Sequence, residues 1–201
     1  MDPFVRFIEG EDEFGPEAFG PRSDWQATVY IGKPGPTRLH SWSSYPNQRH
    51  GYAERLYHAL RIQEYVSRDA AIQWWREVGN QPGDLKVAVA QARSIVAGKN
   101  DDERDFAFML QVQRQRWVDD PEFREALGTW TSGHIVERAP ASAVDKRWGI
   151  DAQGNGRNLL GIVLMRVARE HGIGADLTGQ ATAAPESTPE TESVGDIPLP
   201  F

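Results

Sequence analysis

The 201-residue sequence predicts an α+β domain that is mainly helical with a small β component. Three observations lead there. Apolar residues recur at helical spacing in successive segments between residues 51 and 171, strand-like runs are short and few, and capping or stop residues sit at the segment ends.

Residues 25–50 mix Trp25, Val29, Tyr30 and Ile31 with Gly32, Pro34, Gly35 and Pro36, the composition of a strand followed by turns. From Tyr52 the period changes. Ala53, Leu56, Tyr57 and Leu60 follow one helical stripe, so a helix is expected over 51–66. Ser67 caps a second helix running through Trp74 and Trp75, with Gly79 beyond its end. Leu85, Ala88, Val89, Ala92 and Val96 form a third stripe that Gly98 stops, and Phe106, Met109, Leu110 and Trp117 define a fourth. Asp120-Pro121 is a cap and first-turn pair for a short helix ending near Gly128. His134-Ile135-Val136 reads as a short strand, and 159–171 as a final helix that Gly172 ends.

Composition narrows the function classes. The length suits one ordinary domain with a sizeable core, and no apolar run approaches the roughly 18 residues of a spanning helix. The N-terminal stretch is acidic where a secretory signal is basic and then apolar, so a cytoplasmic location is expected, with no membrane partner. The absence of cysteine excludes disulfides, thiolate metal sites and thiol nucleophiles. His40, His50, His58, His134 and His171 lack metal-ligand spacing, so neither a metal nor a cofactor is expected.

The net charge of −7 is unevenly spread. Residues 1–24 and 176–201 each contribute −5, which leaves a centre, 25–175, at +3. The expected organisation is an acidic N-terminal segment (1–24), a domain (25–175) and an acidic tail rich in Pro, Thr and Ser (176–201) with too few large apolar residues to offset the entropy of ordering. A mildly basic centre suits a small phosphorylated ligand better than a long nucleic-acid footprint.

The densest chemistry lies in 129–169. Glu137 and Asp145 precede Trp148-Gly149; Gly154, Gly156, Arg157 and Asn158 then lead into the apolar stretch 159–167. Glycines let backbone N–H groups converge, a helix start presents unpaired donors, and Arg157 adds a fixed cation, so the run describes a pocket rim able to cradle phosphate. Gly154, Gly156 and Gly161 do not make a dinucleotide-binding fingerprint. Upstream, Glu54, His58 and Arg61 stand at i, i+4 and i+7 on one helix face, adjacent to the apolar stripe. From spacing alone, the simpler reading of that face is a solvated stripe with a surface ion pair.

The order Glu137, Asp145, Trp148, Gly149, a Gly-rich turn, then Asn158, Leu160, Gly161, Leu164, Met165 resembles the NADAR or YbiA-like family. The block Glu54-Arg55-Leu56-Tyr57-His58-Ala59-Leu60-Arg61-Ile62 is similar to that family's E-H-x-Y-Q-A-x-K-F helix. Met109, Arg116-Trp117, the run Asp120 to Arg124, and Leu127 resemble its intervening stretch. The likeness covers residues 52–169. The family's S-N-F element has no clean counterpart, the nearest cluster being Ser41-Trp42-Ser43-Ser44-Tyr45, and Asp101 stands near the place of a family tryptophan.

The resemblance implies a YbiA-like fold and hydrolysis of an N-glycosidic bond between ribose and a nitrogenous base. The substrates it implies are phosphorylated ribosylamino-pyrimidine intermediates of riboflavin synthesis, or ADP-ribosylated guanine, including that in nucleic acid. It makes Glu54 catalytic, with Asp145 as its partner acid. Carboxylates suit the task, because the transition state carries oxocarbenium-like charge that an anion can stabilise, while an acid-base group takes a proton from the attacking water. Arg61, Trp148, Gly149, Gly156, Arg157 and Asn158 are the expected ligand-binding residues, with Trp148 stacking on the base and Asn158 binding a ribose hydroxyl or phosphate, capping the last helix, or both. From the residues themselves, Asp145 is equally a turn cap, Trp148 a core aromatic, and Glu137 a loop-holding group. A non-catalytic module binding ADP-ribose or a nucleotide is the alternative, and an interaction protein using its acidic tail a third.

Overall fold

The computed structural model describes residues 27–31, 37–41, 51–131, 133–138, 147–151 and 154–174. The segments 1–24 and 176–201 and the candidate Asp145 lie outside the described residues. The elements are strand β1 (Ala27–Ile31), a short 3-10 turn (Thr37–Leu39), α1 (Tyr52–Tyr65), α2 (Arg68–Trp74), a π-helical turn (Trp75–Gly79), α3 (Leu85–Ile95), α4 (Asp102–Asp119), α5 (Pro121–Gly128), β2 (His134–Glu137) and α6 (Leu159–Glu170). The fold is mainly helical with a small β part, as the periodicities predict.

The caps fix where helices begin. Ser67, Asp84, Asp101 and Asp120 each accept a backbone N–H from the first turn of the helix that follows, satisfying donors that have no partner within the helix. Asp101 thus serves as the cap of α4. The π-helical turn has no signature in the sequence pattern. Adjacent Trp74 and Trp75 are both buried, and widening the helix turns both inward. Gly79 closes the turn so tightly that a Cβ there would lie 2.7 Å from the Trp74 ring. The Arg55 guanidinium satisfies the carbonyls of Val78, Gly79 and Gly83 at 3.2, 3.1 and 3.0 Å.

Helix α1 is the hub. It packs against α2, α3 and α4, while α6 packs against α4 and β2. Leu56, Tyr57, Leu60 and Ile62 from α1 join Phe106 and Leu110 from α4 and Leu160, Ile162, Val163, Leu164 and Met165 from α6 in one apolar cluster. Every residue from Ala53 to Ile62 is buried, so the face bearing Glu54, His58 and Arg61 is not a solvated stripe: these side chains and Arg55 are enclosed by neighbouring elements. The strands pair in parallel, with Val29 opposite Ile135 and Ile31 opposite Glu137. Gly161 seats α6 on β2, since a Cβ there would lie 2.0 Å from the Ile135 carbonyl oxygen. Among the described residues no helix is long and apolar enough to cross a membrane.

Candidate active site

A carboxylate inside a packed helix bundle must be paired, because desolvation otherwise drives it to take a proton. Glu54, in the first turn of α1, is paired twice. The Ser41 hydroxyl donates to Oε2 at 2.8 Å, and Nε2 of His58, one turn along, lies 3.3 Å from Oε1. The approach of His58 is by charge and dipole, since neither of its ring nitrogens makes a well-aligned hydrogen bond among the described residues. Burial pushes the Glu54 carboxyl up; His58, the Ser41 hydroxyl and the charge of His40 outweigh it, and the group is held below its usual range. Glu54 is therefore an ionised carboxylate at neutral pH within a largely dry wall.

A second carboxylate stands close by. Glu137 ends β2, and its Oε1 lies 3.0 Å from Nε2 of His40; its Oε2 is buried with no partner among the described residues. Burial lowers the basicity of His40, but Glu137 and then Glu54 more than offset it against the opposing charge of Arg116, so the imidazole is held above its ordinary value. The turn bearing His40 and Ser41 is pinned from α4. Arg116, fully buried, donates to the carbonyls of His40 at 3.1 Å and Arg38 at 2.6 Å and pairs with Asp120 at 3.2 Å. Burial raises the Asp120 carboxyl, and hydrogen bonds from Arg38, the Phe123 amide and Arg116 bring it below its usual range.

Residues 147–151 and 154–158 adjoin the end of β2, where the Ile150 amide donates to the Glu137 carbonyl at 2.9 Å. Trp148 sets its ring edge-on to Tyr57 of α1, centroids 5.3 Å apart, and is only partly buried, so it packs on the core with part of its surface exposed. Gly149 and Gly156 lie back to back: a Cβ on Gly156, whose φ is 147°, would sit 2.1 Å from the Gly149 carbonyl oxygen. Glycine is required at 156 by close backbone approach and by a φ that side chains avoid.

Several of the expected ligand-binding residues make contacts within the protein. Asn158 neither caps α6 through its side chain nor faces outward. Its Oδ1 accepts the Glu137 amide at 2.9 Å and its Nδ2 donates to the Ile135 carbonyl at 2.8 Å, at zero exposure. Arg61 turns inward, bonding Asp105 at 2.9 Å, the Lys99 carbonyl at 2.7 Å and Asn100 at 2.8 Å. Arg157 pairs with Asp102, as does Arg147 at 3.2 Å. The start of α6 is also not an open phosphate cradle, because the Leu159 and Leu160 amides donate to the carbonyls of Arg147 and Trp148 at 2.9 and 3.2 Å. Closure of the chain on itself uses these two donors of the helix start.

The structure thus brings Glu54 together with His58, Ser41, His40 and Glu137, sets Trp148 against Tyr57 of the same helix, and gives Arg61 and Asn158 partners within the protein. His40 carried no signal in the sequence, and Ser41 only its place in a polar cluster. Among the described residues no group of three or more His, Asp or Glu side chains is arranged to hold a metal ion. An open groove of about 490 Å³ between α2, the π-helical turn and α3, lined by Trp74, Val78, Gln91 and Ile95, contains none of these residues. Comparison of the chain with protein-family models, curated proteins and solved structures found no match in any of the three.

Proposed function

We propose that this protein hydrolyses an N-glycosidic bond joining ribose, as ribose phosphate or ADP-ribose, to a nitrogenous base, as a divergent member of the NADAR or YbiA-like family. The observation that carries this reading is Glu54, a carboxylate held ionised although almost wholly buried, with Ser41 and His58 upon it and Glu137 nearby. Loss of the base leaves oxocarbenium character on the sugar, and a fixed anion in a poorly hydrated wall stabilises that charge more than water does. The same carboxylate accepts a proton from the attacking water. Asp145 orients the ribose hydroxyls on this reading, and Trp148 offers an aromatic surface to the base.

The substrates to be offered are ribosylamino-pyrimidine phosphates and oligonucleotides bearing ADP-ribosylated guanine, with release of the base followed for wild type and Glu54→Gln. Wild-type turnover with a loss on the order of 100-fold or more in the variant is expected. Equal rates would remove Glu54 from the chemistry. Binding of ADP-ribose with no base released from either substrate would leave a nucleotide-binding module in place of an enzyme.

A further inference from the structure

We infer that His40 is the general acid of this site, giving its proton to the base nitrogen as the glycosidic bond breaks. The inference rests on the N-glycosidase reading and adds to it a residue and a direction of proton flow.

A heterocyclic base leaves poorly as an anion, so hydrolysis needs a proton donor on the leaving side as well as an acceptor on the water side. Glu54 is the acceptor, and its ionised state excludes it as the donor. His40 has the complementary properties. It faces Glu54 from α1, Glu137 from β2 and Arg116 from α4, so two anions and one cation set its charge. Glu137 lies 3.0 Å from Nε2 and stabilises the imidazolium. The His40 side chain is 24% exposed, against 12% for Glu54 and 1% for His58, so of the two histidines beside Glu54 it is the one with access to a bound base and to solvent. Arg116 fixes its position through the His40 carbonyl at 3.1 Å. Neighbouring groups whose surroundings push their proton affinities apart are the arrangement that acid-base pairs require.

The step balances. The oxygen of water bonds to the anomeric carbon as the C–N bond breaks, and that bond's electron pair goes to the base nitrogen. The imidazolium proton of His40 passes to this nitrogen, and one proton of water passes to the Glu54 carboxylate. One water is consumed, a sugar hydroxyl and an N–H base are formed, and exchange with solvent returns Glu54 and His40 to their starting states.

The test is the pH dependence of kcat for base release by the full chain as wild type, His40→Gln, Glu137→Gln and Glu54→Gln. The acid acts while protonated, so wild-type kcat should fall as pH rises through the raised His40 value. His40→Gln should lower kcat on the order of 100-fold, leave KM within about threefold, and abolish the alkaline fall. Glu137→Gln keeps the imidazole but removes the anion supporting its charge, so the fall should move to lower pH; this variant decides the matter should His40→Gln fold poorly. A flat wild-type profile, an alkaline fall that persists in His40→Gln, or an unmoved fall in Glu137→Gln overturns the assignment. An inert wild type, or Glu54→Gln as fast as wild type, brings down the N-glycosidase reading itself. Wild-type rates in His40→Gln beside an inert Glu54→Gln bring down only the role of His40.

Discussion

Ser41 gives the plainest residue-scale prediction. Its hydroxyl helps to keep Glu54 ionised against burial, so Ser41→Ala should raise the Glu54 pKa. On the proposed mechanism the ionised form is the working one, so the acid limb of the pH-rate profile should move to higher pH, with kcat little changed well above it. An acid limb that stays in place would mean that His58 and His40 suffice. The stability contribution has the same sign: Glu54, lowered in the folded state, stabilises above the ordinary carboxylate range and loses that effect as pH falls through its folded value. Asn158 tests scaffolding rather than chemistry. Asn158→Ala leaves the Glu137 amide and Ile135 carbonyl buried and unpaired, and it places alanine at a φ of 52°. A loss of about 2–4 kcal/mol in urea unfolding is expected, and Asn158→Asp, which sets a carboxylate oxygen against the buried Ile135 carbonyl oxygen, should lose at least as much.

At the scale of elements, the glycines separate local preference from packing. Gly161 lies within α6, where helix propensity alone favours alanine by about 1 kcal/mol. Packing decides otherwise, since the new methyl would meet backbone at Ile135 and the Asn158 side chain, neither of which can withdraw without parting α6 from β2. Gly161→Ala should therefore destabilise by about 1–3 kcal/mol. Gly128, at the end of α5, has open space where its Cβ would stand. Gly128→Ala should be neutral or stabilise by about 0.4–1 kcal/mol. Thermal melts of the two variants side by side check both signs, and a stabilised Gly161→Ala would refute the close seating of α6 on β2. The elements themselves were largely legible in the sequence. Helical stripes and caps act within a turn or two, so Ser67, Asp120-Pro121 and the Leu85 to Val96 stripe announced their helices. The π-helical turn was not, because two neighbouring tryptophans turn inward only where a core awaits both.

For the whole molecule, the charged interior joins distant parts of the chain. Asp105 of α4 receives Arg61 of α1 at 2.9 Å, the Tyr65 hydroxyl at 3.0 Å and Arg147 of the 147–151 segment at 3.4 Å. It ties the hub helix to the segment that carries Trp148. Asp105→Ala would leave the nearly buried Arg61 without its counter-charge, on the Lys99 carbonyl and Asn100 alone, and should cost about 3–5 kcal/mol, measured by chemical denaturation; a change under about 1 kcal/mol would show that solvent reaches the guanidinium. What the sequence determined by itself was the local layer: the mainly helical class, the caps that start helices and a carboxylate-bearing helix at Glu54. Only the tertiary structure decided which side chains meet there. Packing set Ser41, His40 and Glu137 around Glu54 and turned Arg61 and Asn158 into braces. The physical reason is range: caps and amphipathic stripes depend on residues a few positions apart, whereas the partner of a buried charge depends on how helices and strands remote in sequence enclose it.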